Sequence, residues 1–93
     1  MKIEVHLVGV LQDALPGGED IIEAEEMTVS SLLDALVKRH GAVAAKEFKC
    51  HEGLREGLSL LVNGRNVLSL PDKFQTKLQD GDEVIITVRV SGG

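Results

Sequence analysis

The sequence of 93 residues contains no tryptophan and no tyrosine, and its phenylalanines are two, Phe48 and Phe74. A core without large rings has to be built from Leu, Val and Ile. With 43% hydrophobic residues the chain has enough of them to exclude disorder. There is one cysteine, Cys50, which excludes an internal disulfide and agrees with a reducing compartment. Basic residues are outnumbered: ten Lys and Arg against fifteen Asp and Glu give a formal net charge of −5. Nucleic-acid affinity rests on Lys and Arg contacts to phosphate, so polyanions and anionic membrane surfaces are poor partners. No apolar run approaches the roughly 18 residues of a membrane helix. The opening MKIEVHLVGVL alternates instead of running apolar, so it does not read as a signal peptide. These absences lead to the expectation of a cytoplasmic protein that binds neither membrane nor nucleic acid.

Catalytic signatures are also missing. No phosphate loop is present, because Pro16-Gly17-Gly18 lacks the lysine that such loops carry. The three histidines, His6, His40 and His51, are scattered and support no Ser-His-Asp set. Cys50-His51-Glu52 lacks the spacings of a zinc site, so no metal site is expected. His6 reads as a surface residue and His40 as a helix-end cation. Arithmetic on length gives one domain, 1–93, ending in a flexible tail at 91–93.

What is present is periodicity. Ile3, Val5 and Leu7 alternate with Lys2, Glu4 and His6, the pattern of a half-buried strand. Leu15-Pro16-Gly17-Gly18 is turn chemistry, and a second strand follows through Ile21 to Ala24. The acids Glu19, Asp20, Glu23, Glu25 and Glu26 around it read as a solvated strand edge. Thr28 is a helix N-cap. Behind it Val29, Leu32, Leu33, Leu36 and Val37 make one helical stripe, with Lys38, Arg39 and His40 in the last turn and Gly41 as a left-handed stop. Residues 42–50 read as a short helix and 51–57 as a loop. LSLLV places Leu58, Leu60 and Val62 on one face of a strand, Asn63-Gly64 predicts a type I′ hairpin, and Arg65 to Leu68 return as a short strand. Pro71-Asp72 starts a turn or short helix holding Phe74. After Leu78-Gln79-Asp80-Gly81-Asp82, the run 83–90 is the last strand, with Val84, Ile86, Val88 and Val90 on one face. The order is ββαβββ in an α+β mixed sheet, the helix crossing one face and the first and last strands parallel and central.

This order resembles the ubiquitin-like β-grasp. Leu61-Val62-Asn63-Gly64-Arg65 looks like its hairpin, and Leu78-Gln79-Asp80-Gly81-Asp82-Glu83-Val84 looks like the turn into its last strand. With the terminal Gly92-Gly93, the whole chain resembles the MoaD/ThiS sulfur-carrier family: the small subunit of molybdopterin synthase, the thiamine sulfur carrier, and archaeal ubiquitin-like modifiers. The segment 42–57 is longer than in the compact members, which makes the thiamine carrier the poorer match. The chain also lacks the proline that often precedes the tail in the molybdopterin branch.

On the tail alone, a frayed end is the simpler reading; the β-grasp pattern ahead of it turns the reading to function. A carboxylate is a poor electrophile, because attack on it must expel oxide. An acyl adenylate gives it a leaving group that sulfur can displace. Gly92 and Gly93, with the small Ser91, offer no side chain to clash in the narrow site where that would happen. The resemblance implies that a partner of the ubiquitin-activating type adenylates Gly93 with ATP, while this chain binds no cofactor and is not itself an enzyme. It also implies a thiocarboxylate on Gly93 and a larger molybdopterin synthase subunit, or another sulfur acceptor, as recipient. Arg89 and Val90 lie on the approach to the tail, where Arg89 reads as a contact to an acidic groove on the activating enzyme. Ile85, Leu61 and Val67 read as an apolar partner patch on the exposed sheet face. Two alternatives use the same fold: a modifier joined to lysines through Gly93, and an interaction module with an inert tail.

Overall fold

The computed structural model describes residues 1–8, 18–41, 49–50, 53–54 and 57–88. Period-two alternation produces the strands. In β1 (Lys2–Leu7) Ile3, Val5 and Leu7 are buried while Lys2 and Glu4 stand in solvent. β2 (Glu19–Glu23) buries Ile22 and exposes its neighbours Ile21 and Glu23. Between β2 and the next strands lies α1 (Val29–His40), then a small antiparallel pair, β3 (Lys49–Cys50) and β4 (Gly53–Leu54). The chain continues through β5 (Leu58–Val62), β6 (Arg65–Asn66) and β7 (Glu83–Val88). Five strands form one sheet in the order β2-β1-β7-β5-β6. β1 and β7 are parallel and central, and β5 runs antiparallel to β7, as the apolar content of those strands requires.

One face of this sheet is covered. Val29, Leu32, Leu33 and Leu36 of α1 pack with Ile3, Val5, Leu60, Val84 and Ile86 in a single aliphatic core. Val37 and Phe74 pack partly buried at its margin. The helix starts where its cap predicts. Ser31 N–H donates to Thr28 Oγ1 at 3.1 Å, and Thr28 N–H donates to Ser31 Oγ at 2.8 Å, so two otherwise unpaired donors are satisfied reciprocally. It ends at Gly41, whose φ is +81° but whose ψ is −153°. The stop is therefore not the left-handed helical residue expected; it occupies the extended positive-φ region that essentially glycine alone adopts.

Two turns fix the register of β7. Asn63 and Gly64 take φ of +50° and +85°, the signs a type I′ hairpin needs. Asn63 Oδ1 accepts from Glu83 N–H at 2.9 Å, which ties the hairpin to the start of β7. On the other side Lys2 N–H donates to Asp80 Oδ1 at 2.7 Å and Gly81 N–H to Lys2 O at 2.9 Å. The 78–82 turn is thus stitched to β1 before β7 begins.

Further expectations change. Gly53 and Leu54, read as part of a loop over 51–57, form β4, because they pair with Cys50 and Lys49. Lys49 and Cys50 form a strand, not the end of a short helix; the rest of that expected helix, 42–48, lies outside the described residues. β2 begins and ends one or two residues before the expected span. The return strand stops at Asn66, and Val67–Ser69 turns as a 3₁₀ helix capped by Asn66, whose Oδ1 accepts from Leu68 N–H at 2.9 Å. That turn drives Val67 into the core at 1% exposure, so Val67 is not part of an exposed patch.

Candidate functional site

The strand that leads toward the tail is held on both sides. The β1 register pairs Glu4 with Glu83 and Leu7 with Ile86; the β5 register pairs Leu61 with Ile85 and Leu58 with Val88. Residue 88 is where description ends on this side, so Arg89, Val90, Ser91, Gly92 and Gly93 lie outside the described residues. The frame delivers the chain to that point from the middle of the sheet, where two neighbours prevent it from shearing.

Among the described residues, the face away from α1 carries exposed and half-buried side chains and is the more open of the two. The registers align Glu19, His6, Ile85, Leu61 and Asn66 in one row across all five strands. A second row runs Ile21, Glu4, Glu83. Ile85 and Leu61 are half-buried and adjacent, so two of the three residues predicted for an apolar patch do meet there. Val8 at 47% and Ile21 at 51% are exposed apolar residues that the sequence reading did not select. Ile21 occupies an outward position of β2, and Val8 follows β1 directly and continues its outward parity, a signal that was available.

The β2 side of the same face is acidic. His6 Nδ1 is 3.4 Å from Glu19 Oε2 and His6 Nε2 is 3.7 Å from Glu83 Oε2. Lys2 lies 3.7 Å from Glu23, an exposed pair of little energetic weight. Around the β2 edge, Glu4, His6, Glu19, Asp20, Ile21 and Arg39 line a depression of about 420 Å³.

Asp20 departs from the solvated-edge reading. It is one residue from an outward position, so it faces α1, and its Oδ2 is 2.7 Å from His40 Nε2 with both side chains about 15% exposed. Arg39 adds Nε at 3.6 Å from the same oxygen and donates from Nη1 to Ile21 O at 3.2 Å. His40 thus closes the helix C-terminus onto β2, beyond its interaction with the helix dipole. Both histidines with described side chains face carboxylates. Cys50 is described in its backbone, and His51 and Glu52 lie outside the described residues. No described helix is long and apolar enough to cross a membrane.

Comparison with known proteins places this geometry. Small archaeal modifier protein 1 of Methanosarcina acetivorans superposes with a TM-score of 0.77 at 28% identity, over 99% of this chain and 96% of that one. A Pyrococcus furiosus protein, described as a candidate molybdopterin converting factor, subunit 1, superposes with a TM-score of 0.73 at 29% identity, over 96% and 98%. The sheet with its one crossing helix is accordingly the ubiquitin-like β-grasp. A protein of Archaeoglobus fulgidus named as a candidate sulfur carrier is 37% identical over the whole of both chains. The model of the ThiS family matches residues 5–93, and on that match the chain belongs to the ThiS family of small sulfur carriers.

Proposed function

We propose that this chain carries sulfur on its C-terminal glycine, and that molybdopterin formation is the process it serves. The observation that carries the reading is the extent of the family match, which runs through β7 and on to Gly93. A carrier needs its last residues to reach into another protein, and five residues beyond Val88 span at most about 17 Å. The activating site must therefore come close to the end of β7. The Gly93 carboxylate attacks the α-phosphate of ATP in a ubiquitin-activating-type partner, releasing pyrophosphate. A hydrosulfide equivalent then displaces AMP and leaves a thiocarboxylate. The chain's own share is steric and positional. Gly92 and Gly93 pass a narrow channel without side chains, Arg89 meets an acidic groove, and Leu61 with Ile85 forms the apolar patch that the partner covers. Similarity to a candidate subunit 1 of a converting factor supports a larger synthase subunit as recipient.

Deleting Gly92-Gly93 tests this. The truncated chain is expected to fold and melt as the full chain does, yet to accept no AMP from the activating enzyme. Sulfur transfer by the truncated chain would overturn the mechanism.

A second reading has a specific observation behind it, the similarity to a small archaeal modifier protein. In that case Gly93 is joined to lysines of target proteins after the same activation. Higher-mass species that react with an antibody to this chain, and that vanish on deletion of Gly93, would identify it.

A further inference from the structure

The open face carries a cluster that sulfur transfer does not use. Glu4, His6 and Glu83 each offer one donor atom, and these atoms lie within 4.8 Å of one another. The β1–β7 register is what assembles them: Glu4 and Glu83 are direct cross-strand neighbours, and His6 is two residues on, on the same face. Side-by-side carboxylates on adjacent strands repel. Two described basic side chains of β1 and α1 have other carboxylate partners, Lys2 with Glu23 at 3.7 Å and Arg39 with Asp20 at 3.6 Å.

We propose that Glu4, His6 and Glu83 bind one divalent transition-metal ion of the zinc class. His6 Nε2 and Glu83 Oε2 are 3.7 Å apart. Two donors on one tetrahedral zinc, each about 2.1 Å from the ion, stand roughly 3.4 Å apart. A small rotation of the glutamate side chains, both on the solvent side of the sheet, completes the set. An ion on Nε2 leaves Nδ1 facing Glu19 at 3.4 Å, where a carboxylate fixes ring orientation and tautomer, as partners of metal-bound imidazoles do. One imidazole with carboxylates selects zinc-like ions over magnesium or calcium, which prefer all-oxygen sites. The depression lined by Glu4, His6, Glu19 and Asp20 leaves an approach from solvent. The competing account is structural: the imidazole simply bridges Glu19 and Glu83. The proposal does not depend on the fate of Gly93.

Zinc chloride titrated into the full chain, followed by calorimetry and by the imidazole NMR signals, separates the two. One saturable event is expected, with shifts at the His6 ring and none at His40. His6→Asn and Glu83→Gln should each abolish saturation, and Glu19→Gln should weaken it by about tenfold. A Cys50→Ser/His51→Ala double variant should bind as the wild type does. Glu19 is exposed, and His6 and Glu83 are half-buried on the face away from α1; matching far-UV dichroism confirms that each variant is folded. No saturable binding at millimolar zinc, binding that survives His6→Asn, or binding lost in the Cys50/His51 variant would each overturn the site.

Discussion

On the helix side of the sheet, Ile3, Val5, Leu60, Val84 and Ile86 have no exposed surface; on the opposite side, Glu4 of β1 and Ile21 and Glu23 of β2, the neighbours of buried Ile22, stand in solvent. A single backbone therefore serves two purposes. The covered face sets stability, because its side chains leave water completely. The open face is unburdened by packing, and its side chains can be chosen for what they contact outside the molecule. A carrier needs both, since its sheet must hold rigid the strand that presents the tail.

Variants sharpen this contrast. The largest effect is expected for Ile86→Ala, which empties a fully buried site on the central strand: a loss of about 3–4 kcal/mol, read from denaturant unfolding. Next is the pair Val67→Ala and Leu68→Ala. Val67 is 1% exposed and Leu68 is 52% exposed, so the first should cost about 2 kcal/mol and the second close to nothing, although the residues are adjacent. Equal losses would mean that the 3₁₀ turn does not place Val67 in the core. Asp20→Ala removes the partner of His40 and should cost about 1–2 kcal/mol by the same unfolding measurement, far more than an exposed acid would. A small effect on stability is also expected for Leu61→Lys on the face away from α1, under about 0.5 kcal/mol. That variant should nevertheless lose at least about tenfold in affinity for the activating partner or the synthase subunit, roughly 1.4 kcal/mol of docking. Unchanged affinity would remove Leu61 and Ile85 from the docking surface.

The covered face was legible in the sequence because it rests on local periodicity. Alternation in β1, β5 and β7 and the stripe from Val29 to Leu36 each need only neighbouring residues to be seen, and the turn residues Asn63-Gly64 and Asp80-Gly81 mark their ends. What the sequence hid is set by contacts between distant segments or by side chains that compete with the backbone. Asn66 caps a 3₁₀ turn and so ends a strand that hydrophobicity alone extends to Leu68. Asp20 looked like one of five acids, yet its position two before Ile22 places it inward, toward His40, which is twenty residues away. The Glu4–His6–Glu83 cluster depends on the parallel pairing of the first and last strands, whose register no short window contains. For the tail residues, Arg89 to Gly93, which lie outside the described residues, the reading rests on residue type and family resemblance alone.

The central claim is that Gly93 carries sulfur, and it is tested most directly by the intact mass of the protein purified from its own host, with fragments that isolate Val90 to Gly93. The account predicts a fraction in which one oxygen of the Gly93 carboxylate is replaced by sulfur. A plain carboxylate in every preparation, including cells grown under demand for the cofactor, would contradict it.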